Sequence, residues 1–377
     1  MRRLTVVLLF ASCVQSVEVL TSLATSDGGV ASGAFSLTAG DRHACTVRGG
    51  PLWCWGANDD GQVGVTDAGL VLSPVQVGSE RNWLTVSGGE VHTCGLRQGG
   101  SVWCWGGNGA GQLGQGDTSS RHSPSPVSLP AAAVQVQSKS SFSCALLDDA
   151  SLWCWGTNYE GQLGLADRFP GVDQLSPVRV SSDAGWKTFS TGQGHACGIR
   201  LDGSMWCWGR NTEAMSGQKV DGGIQFRAPR RVGPESDWTQ VDANQEYTCG
   251  LRADGTAWCW GLLPERSSLS EAPELMLSGS WAMVRTNVFH ACALSMSGSG
   301  VCWGRNIEGQ LGLGDLNARA SPTTLAEGPL SEISTGRFAS CQRRGNGSIW
   351  CTGENSGGQL GLGDTTRRRV WTQLSFP

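Results

Sequence analysis

Cysteine and histidine are the residues in this chain best suited to bind a metal, form a bond or move a proton, and both recur at fixed intervals. Of 15 cysteines, all but Cys13 fall in pairs: Cys45 with Cys54, Cys94 with Cys104, Cys144 with Cys154, Cys197 with Cys207, Cys249 with Cys259, Cys292 with Cys302 and Cys341 with Cys351. The first pair is nine residues apart and the other six are ten apart. No C-x-x-C occurs, which speaks against zinc ligation. Four of the five histidines (His43, His92, His195, His290) stand two residues before the first cysteine of a pair, where other repeats hold Phe142, Tyr247 and Ala339. A position shared with Phe and Tyr serves packing or hydrogen bonding rather than proton transfer. His122, in the Ser/Pro-rich loop Thr118 to Pro126, reads as solvated.

Other catalytic signatures are missing. The chain contains no G-x-S-x-G, H-E-x-x-H or P-loop, and Asn58-Asp59-Asp60-Gly61 lacks the downstream Glu of a calcium loop. No cofactor, no metal and no catalytic residues are therefore expected. Asn346-Gly347-Ser348 matches a glycosylation acceptor, which matters in a eukaryotic secretory pathway.

The cysteine spacing dictates the elements that carry it. Between Cys249 and Cys259 lies Ala253-Asp254-Gly255, a three-residue hairpin loop with glycine third, and this count sets the two cysteines opposite each other. Gly100, Gly203, Gly298 and Gly347 hold the same third position, and Ala150 departs from it. The first pair is one residue shorter and carries the two-residue loop Gly49-Gly50, which again makes Cys45 face Cys54. Counting outward, each pair falls at a non-hydrogen-bonded site, with Cα atoms about 4.5 Å apart. Seven cross-strand disulfides are expected, each closing a short loop worth on the order of 2–3 kcal/mol at best. Buried free thiols are the alternative, which an export signal opposes.

Each hairpin ends in one phrase: Trp53-Cys54-Trp55-Gly56 recurs at Trp103, Trp153, Trp206 and Trp258, shortened to Val301-Cys302-Trp303-Gly304 and Trp350-Cys351-Thr352-Gly353. Both strand faces are then apolar, as in a sheet packed between neighbours. An Asn and a G-Q-L-G turn follow (Gly111 to Gly114, Gly161 to Gly164, Gly309 to Gly312, Gly358 to Gly361), then a Pro/Val strand, then a Trp strand eleven residues before the next cysteine. Four short strands per unit, with starts 43 to 53 residues apart, predict an all-β, seven-bladed propeller with about four strands and one intra-hairpin disulfide per blade. Its first strand begins at Phe35 to Leu37 and its last at Trp371 to Leu374, where the ring should seal.

Together, G-x-x-H-x-C-x-L and W-C-W-G-x-N-x-x-G-Q-L-G-x-G-D resemble the regulator of chromosome condensation repeat, over about residues 34 to 377. The paired cysteines are similar to the extracellular repeats of Crinkly-type receptor kinases and to secreted bacterial propellers. What the resemblance implies is a binding scaffold; secreted members include a proteinaceous β-lactamase inhibitor. It implies as the alternative the founding member's activity, guanine-nucleotide exchange on a small GTPase with chromatin attachment. That activity calls for reduced thiols and a basic tail, and this chain has a net charge of −4.

Residues 1–16 read as a secretory signal, 17–33 as a flexible linker and 34–377 as the propeller. Val14-Gln15-Ser16 suits signal peptidase, while Leu9-Phe10-Ala11-Ser12-Cys13 resembles a lipobox that would leave Cys13 lipidated. No later stretch is long and apolar enough to span a bilayer. An extracellular or cell-surface monomer is expected, bound to a protein or glycan and not to nucleic acid. Departures from the repeat mark candidate partner loops: Gly217-Gln218-Lys219-Val220, Leu262-Leu263-Pro264-Glu265 and Phe169-Pro170-Gly171, with Lys219, Leu262, Leu263, Glu265 and Phe169 as contact residues.

Overall fold

The computed structural model describes residues 35–66, 69–166, 171–182, 184–217, 225–266, 268–326 and 328–377. The signal segment, Cys13, Phe169 and Lys219 lie outside the described residues. Seven four-stranded antiparallel sheets follow one another along the chain, each made of four consecutive strands. Blade 2 is representative, running from the axis outward as Trp83–Gly88, His92–Arg97, Val102–Gly106 and Arg121–Pro126. Among the described residues, no helix is long and apolar enough to cross a membrane.

The hairpin geometry follows from the loop count. Every first half-cystine stands in direct register with its partner across the hairpin. Cys45 faces Cys54, Cys94 faces Cys104, Cys144 faces Cys154 and Cys197 faces Cys207. In the later blades Cys249 faces Cys259, Cys292 faces Cys302 and Cys341 faces Cys351. All seven pairs are bonded as disulfides, with Cα–Cα distances of 4.0 to 4.1 Å. That is shorter than the expected spacing of about 4.5 Å, at the tight end for facing strand residues. Gly100 turns at φ +81°, and Ala150 is forced to φ +60° at the same place. L-residues favour that region poorly, so blade 3 carries local strain.

Apolar clusters fill the spaces between blades. The second Trp of the W-C-W-G phrase is buried there. In blades 1 to 5 its indole N–H also donates to the preceding blade's long turn. Trp105 reaches the Gln62 carbonyl at 3.0 Å, and Trp155 the Gln112 carbonyl at 2.9 Å. Burying one such side chain stabilises by roughly 2–3 kcal/mol.

Near the axis, polar side chains on each inner strand satisfy the open edge of the next. Thr38 accepts the Gly88 N–H at 3.1 Å, Ser87 the Ser138 N–H at 2.9 Å, and Ser190 the Ala243 N–H at 2.9 Å. First and last blades share no strand, so the ring seals by the same stitching. Glu332 accepts the Leu37 N–H at 2.8 Å and Ser334 the Ala39 N–H at 3.0 Å, while Phe376 packs edge-on against Trp53 at 5.8 Å.

Candidate functional site

The histidines come first, because their ordinary pKa lies nearest neutrality. All four are buried, and each imidazole Nε2 meets a hydroxyl of the next blade: His43–Thr93, His92–Ser143 and His195–Thr248 at 2.8 Å, His290–Ser340 at 2.7 Å. Thr93, Ser143 and Thr248 pass their own proton on, to the carbonyls of Gln62, Gln112 and Met215. With the hydroxyl proton spent, Nε2–H must donate, which fixes the neutral tautomer. Burial pushes the His43 pKa down to about 4 and those of His92, His195 and His290 to about 3. These rings stay neutral near pH 7 and act as latches between blades. The glycine of G-x-x-H makes room for the ring, since a Cβ on Gly89 would stand 2.5 Å from His92 Cε1.

Sequence reading by single repeats missed the partner half of this latch. A hydroxyl (Thr93, Ser143, Thr248, Ser340) stands wherever the preceding repeat has His, and alanine (Ala44, Ala196, Ala291) wherever it has Ala339, Phe142 or Tyr247. Tyr247 turns its hydroxyl instead to the carbonyls of Asn287, 3.0 Å, and His290, 2.9 Å.

The repeat-four turn corrects the sequence reading. Its hydrogen bonds place the turn at Ala214-Met215-Ser216-Gly217, three residues before Gly217-Gln218-Lys219-Val220: Gly217 N–H donates to the Ala214 carbonyl at 2.8 Å, and Trp260 donates to Met215 at 2.9 Å. Repeat five lacks the turn, as read from sequence. Leu263, expected as a contact residue, is only 2% exposed and packs in the apolar cluster of Trp303, so it fills the core instead of meeting a partner. Leu262 is half-buried, and Glu265 is exposed at φ +59°. Asn346 is exposed at its hairpin tip, its side-chain oxygen accepting from Ser348 Oγ at 2.7 Å.

The face of the ring that bears the long turns holds an aromatic cluster one and two blades beyond Leu262. Phe289 and Phe338 occupy equivalent positions in blades 6 and 7, are half-buried, and stack with centroids 5.3 Å apart. Arg305 lies 4.7 Å over Phe289, and Arg337 lies 5.3 Å over Phe338 while pairing with Asp41 at 3.5 Å. Ile307, beside Arg305 in sequence, is 45% exposed. Stacked rings capped by guanidinium groups give a rigid, partly desolvated surface of the composition that anchors protein contacts.

The axis encloses a cavity of about 820 Å³, lined by Thr38, Ser87, Gln137, Ser190, Asp242 and Ser334 among others and continuous with a groove between blades 3 and 4. Lys139 stands where other blades have Gly or Asn and lowers the pKa values that burial raises at Asp41 and Asp242. Among the described residues, no group of three or more His, Cys, Asp or Glu could hold a metal ion. The surface can bind by shape, stacking and charge.

Comparison with known proteins agrees with this architecture. Two profiles of the regulator of chromosome condensation (RCC1) repeat match, one at residues 49–96, 99–146 and 149–199, the other at 84–112, 133–162 and 186–218. No curated protein matches the sequence. Human WBSCR16 superposes with TM-score 0.76 at 21% identity, covering 87% of this chain and 94% of that one. Yeast RCC1 (Prp20), solved with Kap60, gives 0.76 at 19% identity, covering 92% and 86%. The CRINKLY WD40 ectodomain of the Arabidopsis thaliana receptor kinase ACR4 gives 0.52 at 18% identity, covering 85% and 94%. At these identities the likeness is one of fold. This chain is a seven-bladed propeller, and within residues 49–218 it matches regulator of chromosome condensation repeats.

Proposed function

We infer that the chain is a secreted or surface-held, non-enzymatic binding module that recognises a protein, or a glycan, through loops on the long-turn face; an inhibitor is one form this takes. The observation that carries the reading is the Phe289–Phe338 stack with its two arginines, set next to the blade whose long turn is missing. Seven disulfides suit an oxidising compartment, and the similarity to a receptor ectodomain supports the same location. A rigid disulfide-pinned scaffold with variable loops is well suited to recognition.

Crosslinking mass spectrometry on living source cells, with the natural chain and a Phe289→Ala/Phe338→Ala variant, tests this. The natural chain should crosslink an extracellular protein through the long-turn face, and the variant should lose it. Equal capture by both would reject the surface. Accelerated nucleotide release from a small GTPase would move the assignment to the exchange-factor alternative.

A further inference from the structure

Blades 4 and 6 open their long turns with almost the same words. Blade 4 reads Arg210-Asn211-Thr212-Glu213 and blade 6 reads Arg305-Asn306-Ile307-Glu308. In blade 4 the loop satisfies its own guanidinium: Arg210 Nε donates to Thr212 Oγ1 at 2.9 Å, and Nη2 donates to Glu213 Oε1 at 3.1 Å.

Blade 6 takes both acceptors away. Ile307 stands where Thr212 does, so Nε loses its hydroxyl. Glu308, the counterpart of Glu213, accepts from Arg367 Nη1 at 3.0 Å, and Arg367 also donates to the Ile307 carbonyl at 3.3 Å. Among the described residues the Arg305 side chain has no acceptor, and its Nε is buried without one. Carboxylates on the neighbouring loops are engaged elsewhere: Asp41 pairs with Arg337 at 3.5 Å, and Glu354 accepts the Ser356 N–H at 2.8 Å.

Apolar surface holds the guanidinium in place of polar partners. It lies 4.7 Å over Phe289, which stacks on Phe338, and the exposed Ile307 follows two residues on. Pro264, from the blade-5 loop that lacks a long turn, comes so close that a Cβ on Gly304 would stand 3.0 Å from its Cβ. A guanidinium is a planar fork of N–H donors that matches a carboxylate with two parallel bonds. Stacked on a ring it is already oriented, and its apolar neighbours reduce the screening that weakens an exposed pair. The two phenylalanine rings lie against each other and under the guanidinium groups, an arrangement that leaves little open ring face for a sugar.

We propose, resting on the recognition surface inferred above, that Arg305 determines what that surface selects: a protein segment presenting an Asp or Glu carboxylate beside an apolar side chain. Arg305 takes the carboxylate through its fork, and the apolar group lies against Ile307 and Phe289. Blade 4 is the closed form of the same device, its arginine already occupied by its own loop.

A phage-displayed heptapeptide library, selected on the full chain, supplies the probes. The natural chain should enrich Asp or Glu next to an apolar residue, and Arg305→Gln should keep the apolar residue and lose the acid. For the most enriched peptide, fluorescence anisotropy should show binding to Arg305→Gln weakened at least about tenfold. Arg305→Lys, which keeps the charge without the fork, should restore part of it. Arg367→Ser leaves Arg305 in place but releases Glu308 to close on it as Glu213 closes on Arg210, and it should weaken the same peptide. Enriched peptides that lack an acid and bind Arg305→Gln as well as the natural chain, yet fail on Phe289→Ala/Phe338→Ala, overturn the proposal and leave the recognition surface standing. Peptides indifferent to the phenylalanines as well, or no enrichment, overturn both. Binding of an oligogalacturonate that Arg305→Gln abolishes, with no acidic peptide enriched, overturns the protein segment in favour of an acidic glycan.

Discussion

The junction of blades 2 and 3 and the junction of blades 5 and 6 use the same strands and the same cystines but different ties. At the first, His92 bonds Ser143, Ser143 bonds the Gln112 carbonyl, and Trp155 bonds that carbonyl too. At the second there is no long turn to supply a carbonyl. Tyr247 reaches past Ala291 to two backbone oxygens, and the Trp303 N–H has no partner. Repeats are therefore interchangeable as folds but not as neighbours: each junction is a matched pair.

That contrast can be broken most forcefully with acid. His43, His92, His195 and His290 are neutral when folded and take up protons when unfolded, so the unfolded chain binds more protons below about pH 6.5. Their contribution is complete above that value and falls as pH drops toward 3 to 4, by about 2 kcal/mol per histidine at pH 5. Asp41 and Asp242, whose pKa values burial raises, offset part of this in the opposite direction. Denaturant titrations from pH 7 to 4 should show the loss. A stability that rises on acidification would mean that these rings are not held neutral.

A smaller effect separates the junctions residue by residue. His92→Ala should cost about 3 kcal/mol, through the cavity and the lost hydrogen bond. His92→Phe combined with Ser143→Ala, which copies the Phe142/Ala196 pairing, should recover part of it, with a coupling of about 1 kcal/mol in a double-mutant cycle. Smaller again is the tryptophan comparison. Trp105→Phe should destabilise by about 1 kcal/mol more than Trp303→Phe, because the N–H of Trp303 makes no bond to lose. Last, Ala150→Gly should raise stability by up to about 1 kcal/mol by relieving φ +60°. Calorimetry or chemical denaturation measures each.

The blade was legible because it is local. Loop length, cysteine spacing and strand alternation lie within ten residues and determine the register between Cys94 and Cys104 without reference to anything else. The same count held where the loop residue departs from glycine, since Cys144 still meets Cys154 across Ala150. The junctions were not legible, because they join residues about 50 apart whose alignment depends on how blades dock. Only once His92 is known to face Ser143 does the alternation of hydroxyl and alanine between repeats become meaningful. The turn of repeat four was displaced by an accidental Gly217-Gln218, though its distance from Asn211 pointed to Ala214. Leu263 read as a loop residue because its motif was missing; it stands at the position of the buried Asn58 and Asn108 and packs into the core there.

The account depends on seven self-contained sheets, each pinned by its own cystine. Peptide mapping of the natural protein under non-reducing conditions tests this directly. It should return seven linked peptides, each joining the two cysteines of one hairpin. Alkylatable thiols at these positions, or bridges between different hairpins, would contradict it.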